Sequence, residues 1–403
     1  MAWLGLKTPA YLSGWMQRLG MSVPAVGPQP VFWIHAVSVG EVQAAAPLVK
    51  RLLRDLPQHT ILITTITPTG AAMVRQRFRE RVIHSYLPYD FPCAVRRFVN
   101  SVRPGVLLVM ETEIWPNLFQ ICTQRGIAVL LVNARLSSRS YHGYNRIRWF
   151  SRRVFSLISR VGAQSPEDGR RFINLGAHPD RVIITGNMKF DVAIPAEISI
   201  QGAILRRQLA GNRQVWIAAS THDGEEQLIL DVHRSILERD SSCLLILVPR
   251  HPQRCDSVAE LSMRRGFRTS RKSLVQDYPA DTEVFILDTL GELMLYYAAS
   301  DVAFVGGSLL PCGGHNVLEP AGLGIPVVTG KYVSNFTEIN RLLLEYGAAL
   351  QVGDKQELEY SICMLLADPE RRSRMGMAGK RVVEDNRGST DRVMQLIADA
   401  ATA

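Results

Sequence analysis

Short apolar runs alternate along the chain with longer amphipathic stretches, and this alternation predicts the fold class. Seven apolar runs in the first half predict strands, at 31–38, 60–67, 81–88, 105–111, 127–134, 160–165 and 181–187. Six runs in the second half repeat the pattern, at 214–220, 243–250, 283–288, 301–307, 325–330 and 349–353. Helical patterns lie between the runs, which predicts parallel sheets covered by helices on both faces.

A segment without clear periodicity, near 190–212, separates the two series of predicted strands. A chain of 403 residues is expected to form about two domains. We therefore predict an α/β protein with two Rossmann-like domains, 1–192 and 193–403, whose parallel sheets face a central cleft. Because doubly wound folds bind ligands at the carboxyl ends of their strands, this cleft is the expected ligand site.

Composition and charge narrow the class of protein. The net charge of +9 favours polyanionic partners such as phosphorylated substrates, anionic lipid or nucleic acid, although a solvated basic surface is an equal alternative. The six cysteines have neither zinc-site nor disulfide-scaffold spacing. No apolar run approaches the ~20 residues needed to span a bilayer. The N-terminus is nevertheless unusually apolar, with Trp3, Leu4, Leu6, Tyr11, Leu12 and Trp15.

Four candidate residues lie at the ends of predicted strands in the first half. Glu41 closes the segment HAVSVGE (35–41), where a strand ends and a helix begins. A carboxylate there is either a helix-start acid that favours the helix dipole or a general base held in the cleft. The strand predicted at 105–111 runs into Glu111 and Glu113 within METEIWPN (110–117). Lys189 lies in GNMKFD (186–191), just beyond the last predicted strand of the first half. A lysine at such a linker is usually solvated, whereas a lysine in a cleft can balance a substrate carboxylate or phosphate.

The second half contains groups suited to binding a nucleotide. Arg250, His251 and Arg254 follow a buried strand within VPRHPQR (248–254), and arginine can hold a phosphate by two-point contact. The helix that begins near residue 290 presents backbone N–H groups to an anion. Two glycine pairs in 304–330 allow the backbone to approach a phosphate closely, unless packing alone shapes that loop. Glu319, three residues after Asn316, can accept hydrogen bonds from ribose hydroxyls.

Several motifs are missing from the sequence. It contains neither a P-loop lysine motif nor a GxGxxG after the first strand. It also contains no Asp-x-Asp pair and no histidine pair with metal-ligand spacing. We therefore predict a mechanism without metal or cofactor. A donor with one phosphate in its leaving group would need a metal less than a diphosphate donor would.

Nine segments, in order from about residue 33 to 340, resemble the bacterial 3-deoxy-D-manno-octulosonic acid (Kdo) transferases of lipopolysaccharide synthesis. They are HAVSVGE, TTITPTG, YLPYDFP, METEIWPN, NARLS, GNMKFD, PRHPQR, GGSLLPCGGHNVLEP and NFTEI. The resemblance implies a GT-B fold and an inverting glycosyltransferase. It also implies CMP-Kdo as donor and a lipid A precursor of the lipid IVA type as acceptor.

The resemblance also implies roles for particular residues. The base is Glu41, and Glu111 and Lys189 assist the transition state. The implied contacts with CMP are made by Pro249, Arg250, Leu290, Gly291, Glu292, Asn316, Val317, Leu318 and Glu319.

The expected membrane association has two sources in the sequence. Family members usually begin with a membrane-anchoring helix, whereas here the elements that follow such an anchor come at residues 7–20, so the chain looks like a form without it. The resemblance implies the cytoplasmic face of the bacterial inner membrane as its location. In 138–160, basic residues alternate with aromatic ones. That pattern predicts docking on an anionic membrane surface, the alternative being a buried amphipathic helix with a basic outer face.

Two other functions remain as alternatives. The first is a GT-B enzyme that uses a UDP-sugar donor, or a UDP-sugar epimerase. The second is a nucleic-acid-binding protein, which only the basic charge suggests; we expect no nucleic-acid partner, because RNA-binding signatures are missing and the arginines are spread along the chain.

Overall fold

The computed structural model describes residues 14–275 and 277–401, and the chain divides into two compact units. Unit 1 contains the described residues up to Asp191 and those from Asn386 onward, and unit 2 contains Val192–Asp385. The apolar residues Trp3, Leu4, Leu6, Tyr11 and Leu12 lie outside the described residues.

Unit 1 is built on a parallel sheet. Its strands within the described residues are β1 (Val31–His35), β2 (Thr60–Thr65), β3 (Ile83–Tyr86), β4 (Pro104–Met110), β5 (Ala128–Ala134), β6 (Arg160–Ala163) and β7 (Val182–Ile184). They are ordered β3-β2-β1-β4-β5-β6-β7 and are parallel throughout. The strand order reverses between β1 and β4.

Unit 2 repeats this architecture. Its strands within the described residues are β8 (Val215–Thr221), β9 (Leu244–Pro249), β10 (Thr269–Arg271), β11 (Val284–Ile286), β12 (Val302–Val305), β13 (Val327–Gly330) and β14 (Ala349–Val352). The order is β10-β11-β9-β8-β12-β13-β14, again parallel. Here the order reverses between β8 and β12.

Helices connect the strands in both units. In chain order, those in the described part of the chain are α1 (Trp15–Arg18), α2 (Val39–Asp55), α3 (Pro68–Phe78), α4 (Pro92–Val102), α5 (Pro116–Gln124), α6 (Ser138–Arg146), α7 (Arg148–Phe155), α8 (Pro166–Leu175), α9 (Ile198–Leu209), α10 (Glu225–Arg239), α11 (Cys255–Arg264), α12 (Leu293–Ala298), α13 (Leu318–Gly322), α14 (Thr337–Glu345), α15 (Lys355–Ala367), α16 (Pro369–Asp385) and α17 (Ser389–Ala401). None of them is long and apolar enough to cross a membrane.

Both sheets are covered on both faces because their strands are apolar at consecutive positions. Successive side chains of a strand point to opposite faces. Trp33 therefore packs in one core of unit 1 and its neighbour Ile34 in the other, and both are fully buried. Trp216 and Ile217 of β8 divide between the two cores of unit 2 in the same way. This double coverage is the arrangement that the apolar runs predict.

The C-terminal helix belongs to unit 1, although the sequence interpretation placed it in the second domain, 193–403. Val393 and Leu396 of α17 are buried in the core of unit 1 that also contains Ile34. The Asp191 carboxylate accepts the Gly388 N–H at 2.8 Å, which fixes the start of this segment. Apolar packing therefore returns the end of the chain to unit 1, a long-range contact that local periodicity does not reveal.

The predicted strands correspond closely to those observed, with one omission. Strand β10 was not predicted, because its three residues Thr269–Arg271 contain no apolar run. Pro47 lies inside α2, which begins at Val39.

Candidate functional site

The reversal of strand order in unit 1 brings two candidate acids together. Glu41 lies in the first turn of α2, just after β1, and Glu111 directly follows β4. Strands β1 and β4 are parallel neighbours, so their carboxyl ends open on the same edge of the sheet. This edge is a topological switch point, where doubly wound folds bind ligands.

Glu41 is a buried carboxyl group with few hydrogen bonds. It is 9% exposed. Its Oε2 accepts the Val37 N–H at 2.7 Å, and its Oε1 accepts the Ser38 hydroxyl at 3.2 Å. Burial raises the pKa of Glu41 to about 8, and the negative charges of Glu113 and Glu111 add to the effect. A carboxyl group with this pKa is suited to accept a proton near neutral pH.

Glu111 has a strained backbone. Its φ is 55°, in the left-handed region that residues other than glycine rarely adopt. The Glu111 N–H donates to the Val132 carbonyl of β5 at 3.0 Å, and Arg135 Nε donates to its Oε2 at 3.1 Å. Such strain is concentrated at functional sites, where the surrounding structure holds it. The contacts with β5 and Arg135 therefore direct the carboxylate of Glu111.

Lys189 reaches this group from a separate loop. It lies in the 3₁₀ turn Met188–Phe190, and the Asn187 side chain accepts the Lys189 N–H at 3.0 Å. Burial lowers the pKa of the Lys189 ammonium, while the charges of Glu111 and Glu41 raise it. The ammonium therefore interacts electrostatically with both acids, and the three predicted catalytic residues form one cluster.

Asn133 holds the loop that carries Lys189, a role that we did not assign from the sequence. Its Oδ1 accepts the Met188 N–H at 3.0 Å, and it is fully buried near the end of β5. Its φ of 53° is also in the left-handed region. The signal in the sequence was the NARLS segment, which we used only for the resemblance.

His35 is a second residue near this cluster that sequence reasoning did not select. It ends β1, is fully buried, and has its Nδ1 atom 3.0 Å from the Thr64 hydroxyl. Burial lowers the pKa of His35 to about 3, so the ring is neutral at physiological pH. The Trp115 ring meets it edge to face at a centroid distance of 5.9 Å. We assign His35 to the wall of the site, because a neutral buried ring is a poor proton acceptor.

Together, these groups can deprotonate a hydroxyl and balance developing negative charge. The Glu41 carboxylate can accept a proton, and the Lys189 ammonium supplies positive charge within electrostatic reach of it. Arg135 supplies a second positive charge next to Glu111. Glu113 adds to the acidic character of the edge: burial raises its pKa, whereas the neighbouring Trp115 side chain lowers it.

The reversal of strand order in unit 2 brings the loops after β8 and β12 together. Pro249 ends β9, the other neighbour of β8, and Arg250 follows it with an exposed side chain. The Arg250 N–H donates to the Thr221 carbonyl at the end of β8, at 3.0 Å. Arg250 is thus fixed by its backbone next to the switch point and presents its guanidinium outward.

A buried glutamate organises the glycine-rich loop of unit 2. Glu225, fully buried at the start of α10, accepts four backbone N–H groups. They belong to His222 (2.9 Å), Gly307 (2.7 Å), Ser308 (3.0 Å) and Leu309 (3.0 Å). The loop after β12 is therefore held onto the loop after β8. Glu225 was not predicted, because nothing in the local sequence shows which backbone groups it meets.

The segment 316–319 has a defined internal geometry. Asn316 Nδ2 donates to Glu319 Oε1 at 3.0 Å, so the predicted spacing does place these two side chains together. Asn316 Oδ1 accepts the Leu318 N–H at 3.1 Å. Val317 and Leu318 are buried, so their side chains serve the core. Burial raises the pKa of the Tyr297 hydroxyl, and the charge of the half-buried Glu319 adds to the effect.

The remaining predicted nucleotide contacts lie at the start of α12. Leu290 is 78% exposed and Gly291 has a φ of 91° with open space around it. The Thr289 hydroxyl donates to the Glu292 carboxylate. An exposed apolar side chain beside a glycine is compatible with a surface that a ligand covers.

Arg254, which the sequence suggested beside Arg250 as a phosphate ligand, already forms ion pairs with two carboxylates. It donates to the buried Glu226 at 2.6 Å and to Asp223 at 2.9 Å. This ion pair joins the start of α11 to α10. Within the described residues, no group of three or more His, Cys, Asp or Glu side chains is placed to hold a metal ion.

Comparisons with known proteins cover nearly the whole chain. Residues 13–192 match the family of 3-deoxy-D-manno-octulosonic-acid transferases (kdotransferase), and residues 215–382 match the glycosyl transferases group 1. The chain is 43% identical over 98% of its length to the 3-deoxy-D-manno-octulosonic acid transferase of Haemophilus influenzae, covering 93% of that protein. It is 38% identical over 95% of its length to the enzyme of the same name from Bordetella pertussis, covering 90% of it.

Two solved structures show the fold. The UDP-GlcNAc 2-epimerase of Neisseria meningitidis is similar with a TM-score of 0.59, at 14% identity, covering 92% of this chain and 100% of that one. MurG of Acinetobacter baumannii is similar with a TM-score of 0.57, at 12% identity, covering 92% and 100%. At these identities the likeness concerns the fold alone.

The two Rossmann-like units have the GT-B fold, and the sequence matches of both units identify the chain as a glycosyltransferase. Its relatives over nearly the full length are Kdo transferases. The chain belongs to the family of 3-deoxy-D-manno-octulosonic acid transferases, the enzymes that transfer Kdo in lipopolysaccharide synthesis.

Proposed function

We propose that the enzyme transfers Kdo from CMP-Kdo to a lipid A precursor, with Glu41 as the general base. The observation that carries the proposal is the buried Glu41 carboxyl at the switch point of unit 1, whose pKa is raised to about 8. The oxygen of a primary hydroxyl of the acceptor attacks the anomeric carbon of Kdo. The bond from that carbon to the phosphate oxygen breaks, CMP leaves, and the hydroxyl proton passes to Glu41.

General-base catalysis by Glu41 contributes about 10²–10⁴-fold to the rate. Direct displacement inverts the anomeric centre, because the acceptor attacks from the side opposite to the leaving group. Lys189, with Glu111 to position it, balances the negative charge of the Kdo carboxylate and of the departing phosphate. The electrostatic coupling of Lys189 to both Glu111 and Glu41 supports this division of roles.

The donor nucleotide binds to unit 2 in this proposal. Arg250 contacts the phosphate and Glu319 accepts the ribose hydroxyls. The exposed guanidinium of Arg250 beside the switch point and the half-buried carboxylate of Glu319 support these roles. Pro249, Leu290, Gly291, Glu292 and the segment 316–318 complete the surface for CMP. We propose that no metal or cofactor takes part.

A product assay tests the proposal directly. The protein is incubated with a lipid IVA acceptor and either CMP-Kdo or UDP-N-acetylglucosamine, and the lipid products are weighed by mass spectrometry. We expect an added Kdo mass with CMP-Kdo alone, and no product from Glu41→Gln. The matched control is Glu80→Gln, an exposed glutamate of unit 1 that should behave as the parent. Product from the UDP-sugar alone, or full transfer by Glu41→Gln, refutes the proposal.

We propose further that helices α6 and α7 dock this enzyme on the cytoplasmic face of the bacterial inner membrane. The two helices break at Ile147, and Trp149 is 79% exposed. Ile147 and Phe150 are also exposed, whereas Phe155 is fully buried. The aromatic residues of 138–160 thus divide between core and surface. The exposed ones lie among the exposed arginines Arg146, Arg148, Arg152 and Arg153.

Apolar and cationic groups on one surface favour the interface of an anionic bilayer, with about 1 kcal/mol gained per basic residue. Flotation with vesicles tests this. We expect binding to vesicles that contain anionic lipid, release as salt rises, and loss of binding when the four arginines become serine. A matched control replaces exposed arginines elsewhere, namely Arg239, Arg264, Arg374 and Arg381. Equal binding to neutral and anionic vesicles contradicts electrostatic docking.

A further inference from the structure

A pair of histidines occupies the switch point of unit 2 and has no role in the mechanism above. His222 directly follows β8, and His315 lies in the loop after β12. Their Nε2 atoms are 2.8 Å apart. The rings are parallel within 1° and their centroids are 5.0 Å apart, so they meet edge to edge through these nitrogens. One Nε2–H therefore donates to the lone pair of the other Nε2.

The loop backbone is shaped to leave room for this pair. Gly307 has a φ of 66°, which favours glycine. A Cβ atom at Gly307 would lie 2.9 Å from His315 Cδ2 and 3.3 Å from His222 Cδ2. The buried Glu225 carboxylate fixes the backbone on both sides, through the N–H groups of His222 and Gly307. The two imidazoles are thus held in place by the fold.

The groups around the pair are mainly cationic. Burial lowers the pKa of His315 to about 3, and Arg250, His222 and His251 add to the effect. Burial also lowers the pKa of His222, with His251 meeting its ring edge to face at 5.6 Å. In the absence of an anion the pair is therefore neutral at physiological pH.

Two acidic groups, Glu225 and Glu226, also face His222, but each already has hydrogen-bond or ion-pair partners. Glu225 and Glu226 raise the pKa of His222. The Glu225 carboxylate accepts backbone N–H groups, and Glu226 is paired with Arg254. Within the described residues, Arg250 forms no ion pair, so the switch point has positive charge that no neighbouring carboxylate neutralises. This is an environment for an anion.

We propose that the His222–His315 pair and Arg250 together bind the phosphate of the nucleotide, and that the pair takes up one proton as it does so. This inference rests on the proposed CMP-Kdo donor. Transfer turns the phosphodiester of the donor, with one negative charge, into the phosphate monoester of CMP. A phosphate monoester carries about −1.5 to −2 at pH 7. A proton taken from solvent by the pair balances the charge gained on the leaving group.

The hydrogen bond between the rings limits the uptake to one proton. The neutral pair carries the shared Nε2–H and one Nδ1–H, which leaves the other Nδ1 free to accept a proton. Protonation there preserves the bond between the two Nε2 atoms. A second proton would place two N–H groups against each other across 2.8 Å.

Calorimetric titration with CMP tests the inference. Measured at pH 7.5 in buffers of different ionisation enthalpy, the binding heats give the number of protons taken up. At this pH free CMP is mostly the dianion, because the second pKa of a phosphate monoester is about 6. We expect the parent protein to take up close to one proton per CMP, and none on binding cytidine. His315→Gln and His222→Gln should abolish the uptake and weaken CMP binding about tenfold, as expected for a lost charge-assisted contact.

The matched control is His178→Gln, an exposed histidine of unit 1, which should leave both quantities unchanged. Normal CMP binding without proton uptake by the parent, or uptake that persists in both variants, overturns the inference while leaving the donor proposal intact. Failure of the parent to bind CMP refutes the donor proposal, and this inference with it. If the variants do not fold, ¹⁵N spectra of the parent decide: the imidazole signals of the pair must shift to the protonated form when CMP is added, and unchanged signals overturn the inference.

Discussion

Replacing the proposed base by its amide should increase the stability of the protein while removing its activity. Glu41 has a pKa of about 8 in the folded protein, against 4.5 for an ordinary glutamate, chiefly because of burial. Between these two values the unfolded chain is ionised at this position and the folded chain retains the proton. Folding then takes up a proton, so the contribution of Glu41 to stability is fully present below pH 4.5 and is lost as the pH rises through 8.

The magnitude follows from the size of the interval. Between pH 4.5 and 8, each pH unit lowers the free energy of unfolding by about 1.4 kcal/mol because of Glu41. The loss is about 3 kcal/mol at pH 7 and about 5 kcal/mol at pH 8. Glu41→Gln does not ionise and therefore escapes this cost. Its side-chain oxygen can still accept the Val37 N–H, so the start of α2 should keep its geometry.

The effect is measured by urea unfolding of the parent and of Glu41→Gln at pH 5 and pH 8. Subtracting the free energy of unfolding of the parent from that of the variant at each pH removes the contribution of the other titrating groups. We expect the variant to gain about 3–5 kcal/mol relative to the parent over this range, while Glu80→Gln gains nothing. The rate constant kcat/KM of the parent should rise about tenfold per pH unit up to about pH 8 and then level off. A stability difference that does not change with pH, together with a flat rate profile from pH 6 to 9, would refute the reasoning.

Three further predictions concern the nucleotide site, the metal requirement and the lysine loop. Arg250→Ala and Glu319→Ala should each weaken CMP binding by about 1.5–3 kcal/mol, measured by calorimetry with Glu41→Gln as the unaffected control. Transfer should continue undiminished in EDTA; loss of activity that magnesium restores would contradict this. Asn133→Ala should lower stability by about 2 kcal/mol and reduce transfer, because it removes the acceptor of the Met188 N–H and leaves an alanine in the left-handed region; unchanged melting temperature and activity would exclude this positioning role.

The architecture could be predicted from the sequence because it depends on short-range patterns. Consecutive apolar positions in β1, β8 and their neighbours predicted strands buried on both faces, and the helices between them predicted parallel order. Glu41 and Glu111 could be selected for the same reason, since Glu111 directly follows β4 and Glu41 lies in the first turn of the helix after β1. What local patterns do not contain is the assignment of α17 to unit 1, which depends on packing across nearly the whole chain.

The supporting residues of the site could not be predicted, and the reason is physical. Glu225 and Asn133 act through backbone N–H groups that are 82 and 55 residues away in the chain. No spacing rule connects a side chain to an N–H group at such a distance. The ion pair of Arg254 could not be predicted either, because its partner Glu226 is apparent only when α10 and α11 are packed together.

The two units also concentrate backbone strain at corresponding places. Among the described residues, five that are not glycine have a positive φ, and three of them lie at the carboxyl edge of a sheet: Glu111 (55°) and Asn133 (53°) in unit 1, and Ser220 (59°) in unit 2. The other two, Arg79 and Arg103, end helices α3 and α4. Strands β5 and β8 shift register at Asn133 and Ser220, between Leu131 and Ala134 and between Ala219 and Thr221. Each such conformation costs about 1–3 kcal/mol and persists only where its surroundings enforce it. In unit 1 the strained Asn133 supports the loop that carries Lys189. In unit 2 the strained Ser220 lies two residues before His222. The same irregularity of a parallel strand, a register shift with a left-handed residue, therefore occurs beside the candidate site of each unit.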